Sequence, residues 1–214
     1  MAEIHLLFPT PVYSNMLELS PKRRWMIQSY LDDQKWIFNK DVSGRDNGQY
    51  LDDRDILSHE FMSDIADHID KQMFNYVHQF LKVSTVRHTL KRTNSWANRH
   101  YRGDYCHEHC HTNSSFSGVY YLSVPPKSGE SLVFKRSGYS WTTDAWEYDL
   151  KESTHQNDIV TSFNVYDNLI LLFPSHLYHF VPASEADEPR YSIAFNYFLY
   201  GEFGRGTNYL RVSG

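Results

Sequence analysis

The sequence predicts an α+β fold, mainly β: alternating strands forming a barrel or sandwich, with flanking helices on its N-terminal side. Three observations predict it. Aromatic residues make up 16% of the 214-residue chain, with 16 Tyr and 13 Phe, and flat rings pack well on pleated surfaces. Apolar residues recur at helical spacing up to about residue 85 and at every second position beyond it, which is the change from a helix period to a strand period. The alternating segments are separated by Gly, Pro, Asn and Asp, the residues that turn a chain between strands. A single domain over 1–214 is expected from this length, with a helical flank at about 20–85 and a β core at about 86–205.

Taken in order, "IHLLFPTPVYSNMLEL" reads as a short strand, a turn and a second extended piece at a sheet edge. In "SPKRRWMIQSYLDDQKWIF", Ser20 is a helix cap and Pro21 suits the first helical position, with Trp25, Met26, Tyr30 and Leu31 at helical spacing. "NKDVSGRDNGQYLDDRD" reads as a polar loop. A longer helix follows, with Phe61, Ile65, Ile69, Met73, Val77 and Phe80 along one face. Beyond it "SFSGVYYLSV", "ESLVFKR", "NLILLFPS" and "RYSIAFNYFLY" read as strands.

A hydrophobic content of 41% with 22% charged residues argues for a soluble globule over a disordered or membrane-embedded chain. The formal net charge of −5 argues against a nucleic-acid partner, which would require a basic face. The 2 cysteines, Cys106 and Cys110, cannot form a disulfide scaffold and are expected to be reduced. With no secretory start and no run near the roughly 18 apolar residues of a membrane span, the expected location is cytoplasmic. A homodimer is left open.

The densest chemistry is "YCHEHCH", Tyr105 to His111. On a regular strand His107, His109 and His111 share one face, and Cys106, Glu108 and Cys110 share the other. Three imidazoles in line span roughly 13 Å at about 3.3 Å per residue, too far for one ion, whereas an adjacent pair can share one. The pair is His107/His109 or His109/His111, and His109 belongs to both. Thiolates with imidazoles would also suit zinc, although a second cysteine pair is missing. Further along, histidines at His176 and His179 follow an apolar strand, and Arg190 and Ser192 open another strand on one shared face. A guanidinium donating two parallel hydrogen bonds, with a hydroxyl one pleat away, makes a carboxylate socket.

These features resemble a known family. "LLFPTPVY", "SWANRHYRGDYCHEHCHTNSSFSGVYYLSVP", "SGESLVF" and "LLFPSHLYHFVPASEADEPRYSIAFNY" are similar to the 2OG-Fe(II) oxygenases of the H-x-H…SGVYY type, in the prolyl-hydroxylase-like superfamily. The resemblance spans nearly the whole chain. It implies a double-stranded β-helix, a jelly-roll or cupin-like barrel, and hydroxylation of a substrate with succinate and CO2 as co-products. It also implies iron(II) as cofactor, with 2-oxoglutarate and O2 as co-substrates. Matching the motif places the metal ligands, and so the catalytic residues, on His109, His111 and His179. The co-substrate arginine falls on Arg190, eleven residues after His179, and Ser192, Tyr121 and Asn98 are further co-substrate contacts. Asn196 is a second candidate contact, and Trp96, Tyr101 and Trp141 are candidates for the substrate entrance. Two departures stand out: Thr112 replaces the usual proline, and three histidines replace the usual two histidines and a carboxylate. The substrate is either a protein side chain such as proline or a small molecule. The rival readings are a three-histidine cupin-like metalloenzyme that does not use 2-oxoglutarate, and a metal- or ligand-binding module without activity.

Overall fold

The computed structural model describes residues 3, 5, 9–41, 43–136, 151, 152, 154 and 157–214. The first strand expected within "IHLLF" and the residue Trp141 lie outside the described residues.

Helix α1, Pro21–Asp32, starts where its cap is written: the Ser20 hydroxyl accepts from the Arg23 N–H, satisfying one of the free donors of the first turn. Its buried residues are Ile27 and Leu31. Trp25 is 68% exposed, so the expected face is rotated. Helix α2, Ser63–Phe74, runs on into one π-helical stretch over Asn75–Phe80. Ile65, Ile69, Met73 and Val77 are fully buried as their spacing predicts, whereas Phe80 lies exposed past the end of the packed face.

Strand β1, Tyr13–Met16, is an edge strand as expected. The last residues of the segment read as helical and the start of the stretch read as a loop instead form β2, Trp36–Lys40, and the rest of that loop carries β3, Asp46–Leu51, its antiparallel hairpin partner. The β core continues with β4, His88–His100, β5, Cys106–His109, β6, Phe116–Ser123, and β7, Ser131–Lys135. It ends with β8, Val160–Asn164, β9, Leu169–Pro174, β10, His179–Val181, β11, Arg190–Phe203, and β12, Leu210–Val212.

Among the described residues these strands make two antiparallel sheets. The larger runs β1-β9-β6-β11-β4-β3-β2, with β12 also on β11, and the smaller runs β5-β10-β7-β8. Together they form the expected double-stranded β-helix with helices on its flank.

The larger sheet buries both of its faces, which explains why β9 reads as an unbroken apolar run. Ile170 and Leu172 pack with Ile193, Phe195 and the helical residues Ile27, Ile65 and Ile69 in one core. Leu169, Leu171 and Phe173 pack with Leu132 and Phe134 of the smaller sheet in the other, where the Phe134 and Phe173 rings lie 5.0 Å apart, edge to face. Only part of this second space is filled by side chains. The remainder is a cavity of about 350 Å³ between the sheets.

Candidate metal and carboxylate site

The cavity takes its polar lining from alternate residues of neighbouring strands. On β11, Arg190, Ser192 and Ala194 face it, while Tyr191, Ile193 and Phe195 face the helices. Register then aligns rows across the sheet. Arg190 lies opposite His100, Ser192 lies between Tyr121 and Asn98, with Tyr50 beyond Asn98, and Ala194 lies between Val119 and Trp96. Arg190, Ser192, Tyr121 and Asn98 therefore line one wall together.

The smaller sheet and the turn after β9 supply the histidines. His109 on β5 pairs with His179 on β10, and His111 is held just beyond β5 by its N–H donating to the Ser175 carbonyl at 2.9 Å. The ligand atoms of His109, His111 and His179 all lie within 4.8 Å of one another. His107 is exposed, with its ring against Tyr105 at 4.7 Å, and does not join this cluster. The ladder shifts register between His179 and Val181. This irregularity turns both Cys106 and His109 towards the cavity, correcting the expectation that they occupy opposite faces; their Sγ and Nδ1 atoms are 3.6 Å apart. Both cysteines are free, and Cys110 is not part of the histidine cluster.

The backbone fixes two of the three rings. His109 Nδ1–H donates to the His107 carbonyl at 2.8 Å, and His179 Nδ1–H donates to the Leu177 carbonyl at 2.9 Å. A carbonyl can only accept, so Nε2 of each ring is left as the free lone pair. Burial lowers the pKa of His179 to about 3 and of His111 to about 4, assisted in both by the neighbouring His109. Both rings are therefore neutral and ready to ligate near neutral pH. Imidazoles suit iron, nickel, copper and zinc, and this donor set fits a divalent transition metal.

Arg190 is 2% exposed. Its Nη1 donates to the Gly129 carbonyl at 2.6 Å and its Nη2 to His100 Nδ1 at 2.9 Å, while its Nε has no partner. No Asp or Glu pairs with it among the described residues. Burial pulls its pKa down but leaves a guanidinium charged at any working pH. The Tyr121 phenol, pushed up by burial, stays protonated and able to donate.

Among the other expected residues, Trp96 lines the cavity with its ring 5.8 Å from that of His111. Tyr101 is 37% exposed and lies outside the cavity lining. Asn196 is also elsewhere. Its side-chain oxygen accepts from Ser117, which bonds Ser175, which bonds Ser114, so Asn196 belongs to a buried polar chain behind the His111 turn. Sequence reasoning missed His100, which the strand period places one pleat from Asn98, and Tyr50, which it assigned to a loop.

The family model described as "Putative 2OG-Fe(II) oxygenase" matches residues 94–196. No curated protein sequence matches the chain. Several solved structures share its fold. The non-heme alpha ketoglutarate dependent epimerase SnoN from nogalamycin biosynthesis superposes with a TM-score of 0.64 at 12% identity, covering 95% of this chain and 89% of its own. HygX from Streptomyces hygroscopicus, solved with nickel and 2-oxoglutarate bound, gives 0.61 at 12% identity, with 95% and 93% covered. A Pseudomonas putida prolyl-4-hydroxylase gives 0.55 at 12% identity, with 87% and 92% covered. Among the described residues no helix is long and apolar enough to cross a membrane.

Proposed function

We propose that this chain is a 2-oxoglutarate-dependent non-haem iron oxygenase of the family whose model matches residues 94–196, with His109, His111 and His179 holding its iron(II) and Arg190 anchoring its co-substrate. The observation carrying this reading is a buried guanidinium without an acidic partner among the described residues, in the same cavity as three clustered imidazoles. An unpaired buried charge is expensive, and a dicarboxylate held at one end by the metal and at the other by Arg190 would supply the missing anion.

When bound, iron supplies the redox chemistry that couples decarboxylation of 2-oxoglutarate, with O2 as oxidant, to hydroxylation of a substrate C–H bond. The chain's own residues do the positioning. His109 and His179 present Nε2 because their Nδ1–H groups are spent on backbone carbonyls. Arg190 offers paired N–H donors to a carboxylate, and the Ser192 and Tyr121 hydroxyls and the Asn98 amide add hydrogen bonds from the same wall. Leu132, Phe173 and Val181 line the cavity beside the histidines and exclude water, which strengthens each polar contact inside.

A three-histidine enzyme that did not use 2-oxoglutarate, or a binding module, would leave the Arg190 charge without an anionic partner among the described residues. For the substrate, the relatives support two classes equally: HygX has been solved with hygromycin B bound, and another relative is a prolyl-4-hydroxylase. Among the described residues no Asp or Glu lines the cavity, which favours a neutral or anionic group over a cation. The two free cysteines support a cytoplasmic location. The test is anaerobic titration of iron(II) and then 2-oxoglutarate into the apoprotein, following the visible charge-transfer band of a metal-chelated keto acid. The band is expected for the wild type and lost in both His179→Ala and Arg190→Ala. Bound iron with no band in the wild type would overturn the co-substrate assignment.

A further inference from the structure

A buried guanidinium is normally matched by a carboxylate, which orients it and cancels its charge. Among the described residues Arg190 has two hydrogen-bond partners, both neutral. The Gly129 carbonyl takes one N–H of Nη1, and His100 Nδ1 takes one of Nη2. Three of the five guanidinium donors remain: Nε–H and one on each terminal nitrogen.

His100 accepts through Nδ1, so its proton is on Nε2 and the ring is neutral. Burial and the facing Arg190 charge both oppose protonation, lowering its pKa to about 3. The ring is packed from behind by the β2–β3 hairpin. Gly48, with φ +73°, lies so close that a Cβ there would stand 2.6 Å from His100 Cδ2 and 3.0 Å from Nε2. The left-handed backbone and the absent side chain make room for an imidazole in this one orientation.

We infer that His100, seated against Gly48, is a positioning residue that orients Arg190 without neutralising it and thereby sets the carbon-chain length of the 2-oxo dicarboxylate the enzyme accepts. The inference rests on the reading of Arg190 as the co-substrate anchor. An acid at position 100 would occupy the guanidinium. An apolar residue would release it to swing, and a swinging cation can reach the distal carboxylate of shorter or longer acids. A neutral acceptor fixes the anchor at one distance from the histidine cluster and keeps its charge for the ligand.

The experiment measures the anaerobic affinity of the iron(II)-loaded full chain for 2-oxoglutarate, oxaloacetate and 2-oxoadipate, with metal affinity measured separately. For His100→Leu we expect 2-oxoglutarate binding to weaken by roughly 10- to 100-fold, the range for losing the partner of a buried charged group. Its preference over the shorter and longer acids should shrink to within about threefold of equality, with iron affinity unchanged. His100→Asn keeps an acceptor where Nδ1 stands and should restore both affinity and selectivity. Gly48→Ala, which displaces the ring from behind, should reproduce the selectivity loss without altering either partner, and it serves as the readout if His100→Leu does not fold. Wild-type binding and selectivity in Gly48→Ala and His100→Leu, with Arg190→Ala still impaired, would overturn the role of His100 while sparing the anchor. His100→Asn as poor as His100→Leu would overturn the acceptor argument. If Arg190→Ala itself binds 2-oxoglutarate normally, the anchor assignment fails, a different result.

Discussion

Strand β11 presents two opposite chemistries within six residues. Tyr191, Ile193 and Phe195 enter a core with the helices, where each polar atom is absent or paired; the Tyr191 hydroxyl, for example, donates to Asp32 at 2.6 Å. Arg190, Ser192 and Ala194, one residue out of phase, face a cavity in which the guanidinium retains unspent donors. The first face gains stability from burial, at roughly 1.5–3 kcal/mol for each large apolar side chain. The second keeps polar groups out of water without fully satisfying them, which costs stability. The strand period thus separates stability from binding, and substitutions on each face should break different properties.

The largest expected effect is at the histidines. His179→Ala should lower iron(II) affinity by more than the roughly 100-fold seen for residues that merely support metal ligands, removing activity while thermal stability stays near that of the wild-type apoprotein. Isothermal titration with iron(II) and a melting curve read both. A stable variant that still binds one iron tightly would remove His179 from the metal site. On the opposite face, Ile193→Ala should lose about 2–5 kcal/mol of stability through the cavity it leaves. Whatever fraction remains folded should bind 2-oxoglutarate as the wild type does. A specific loss of co-substrate affinity without loss of stability would show that the two faces are not separable.

The cavity face should also make the apoprotein acid-sensitive. His100, His111 and His179 have folded pKa values of about 3, 4 and 3, below the unfolded value near 6.5. As pH falls below 6.5, the unfolded chain takes up protons that the folded one refuses, so stability drops with decreasing pH. The slope for each histidine approaches about 1.4 kcal/mol per pH unit, until pH reaches the folded values. Denaturant melts of the apoprotein between pH 7 and pH 4.5 check this. His100→Asn should flatten the slope by one histidine's share, and an unchanged slope would mean that His100 is not held neutral.

How much of this was legible in the sequence depended on whether a residue's role follows from its own period. Strands β6, β7, β9 and β11 were readable because their apolar residues are buried. The His109/His111 register was suggested by the "HTNSSFSGVYY" that follows it. The hairpin β2–β3 was not readable. Asn47 donates no apolar surface and accepts from the Tyr105 N–H, and Gln49 accepts from Arg99, so its polar side chains look like a loop until the partners appear. Cys106 was assigned to the wrong face because a register shift has no local signature. His100 was overlooked because its meaning lies in Arg190, 90 residues away.

The smallest effect gives the sharpest contrast between the two faces. The Ser192 hydroxyl is buried and points into the cavity from the middle of the Tyr121–Ser192–Asn98 row. No protein hydrogen bond to it is present among the described residues, so Ser192→Ala removes nothing that holds the apoprotein together. Its stability should stay within about 0.5 kcal/mol of the wild type. If the hydroxyl donates to the co-substrate carboxylate, the KM for 2-oxoglutarate should rise by roughly 3- to 10-fold, about the value of one hydrogen bond, with kcat little changed. A melting curve and a succinate-release assay across 2-oxoglutarate concentrations separate the two readouts. Lost stability with unchanged KM would move Ser192 from the binding face of β11 to the structural one.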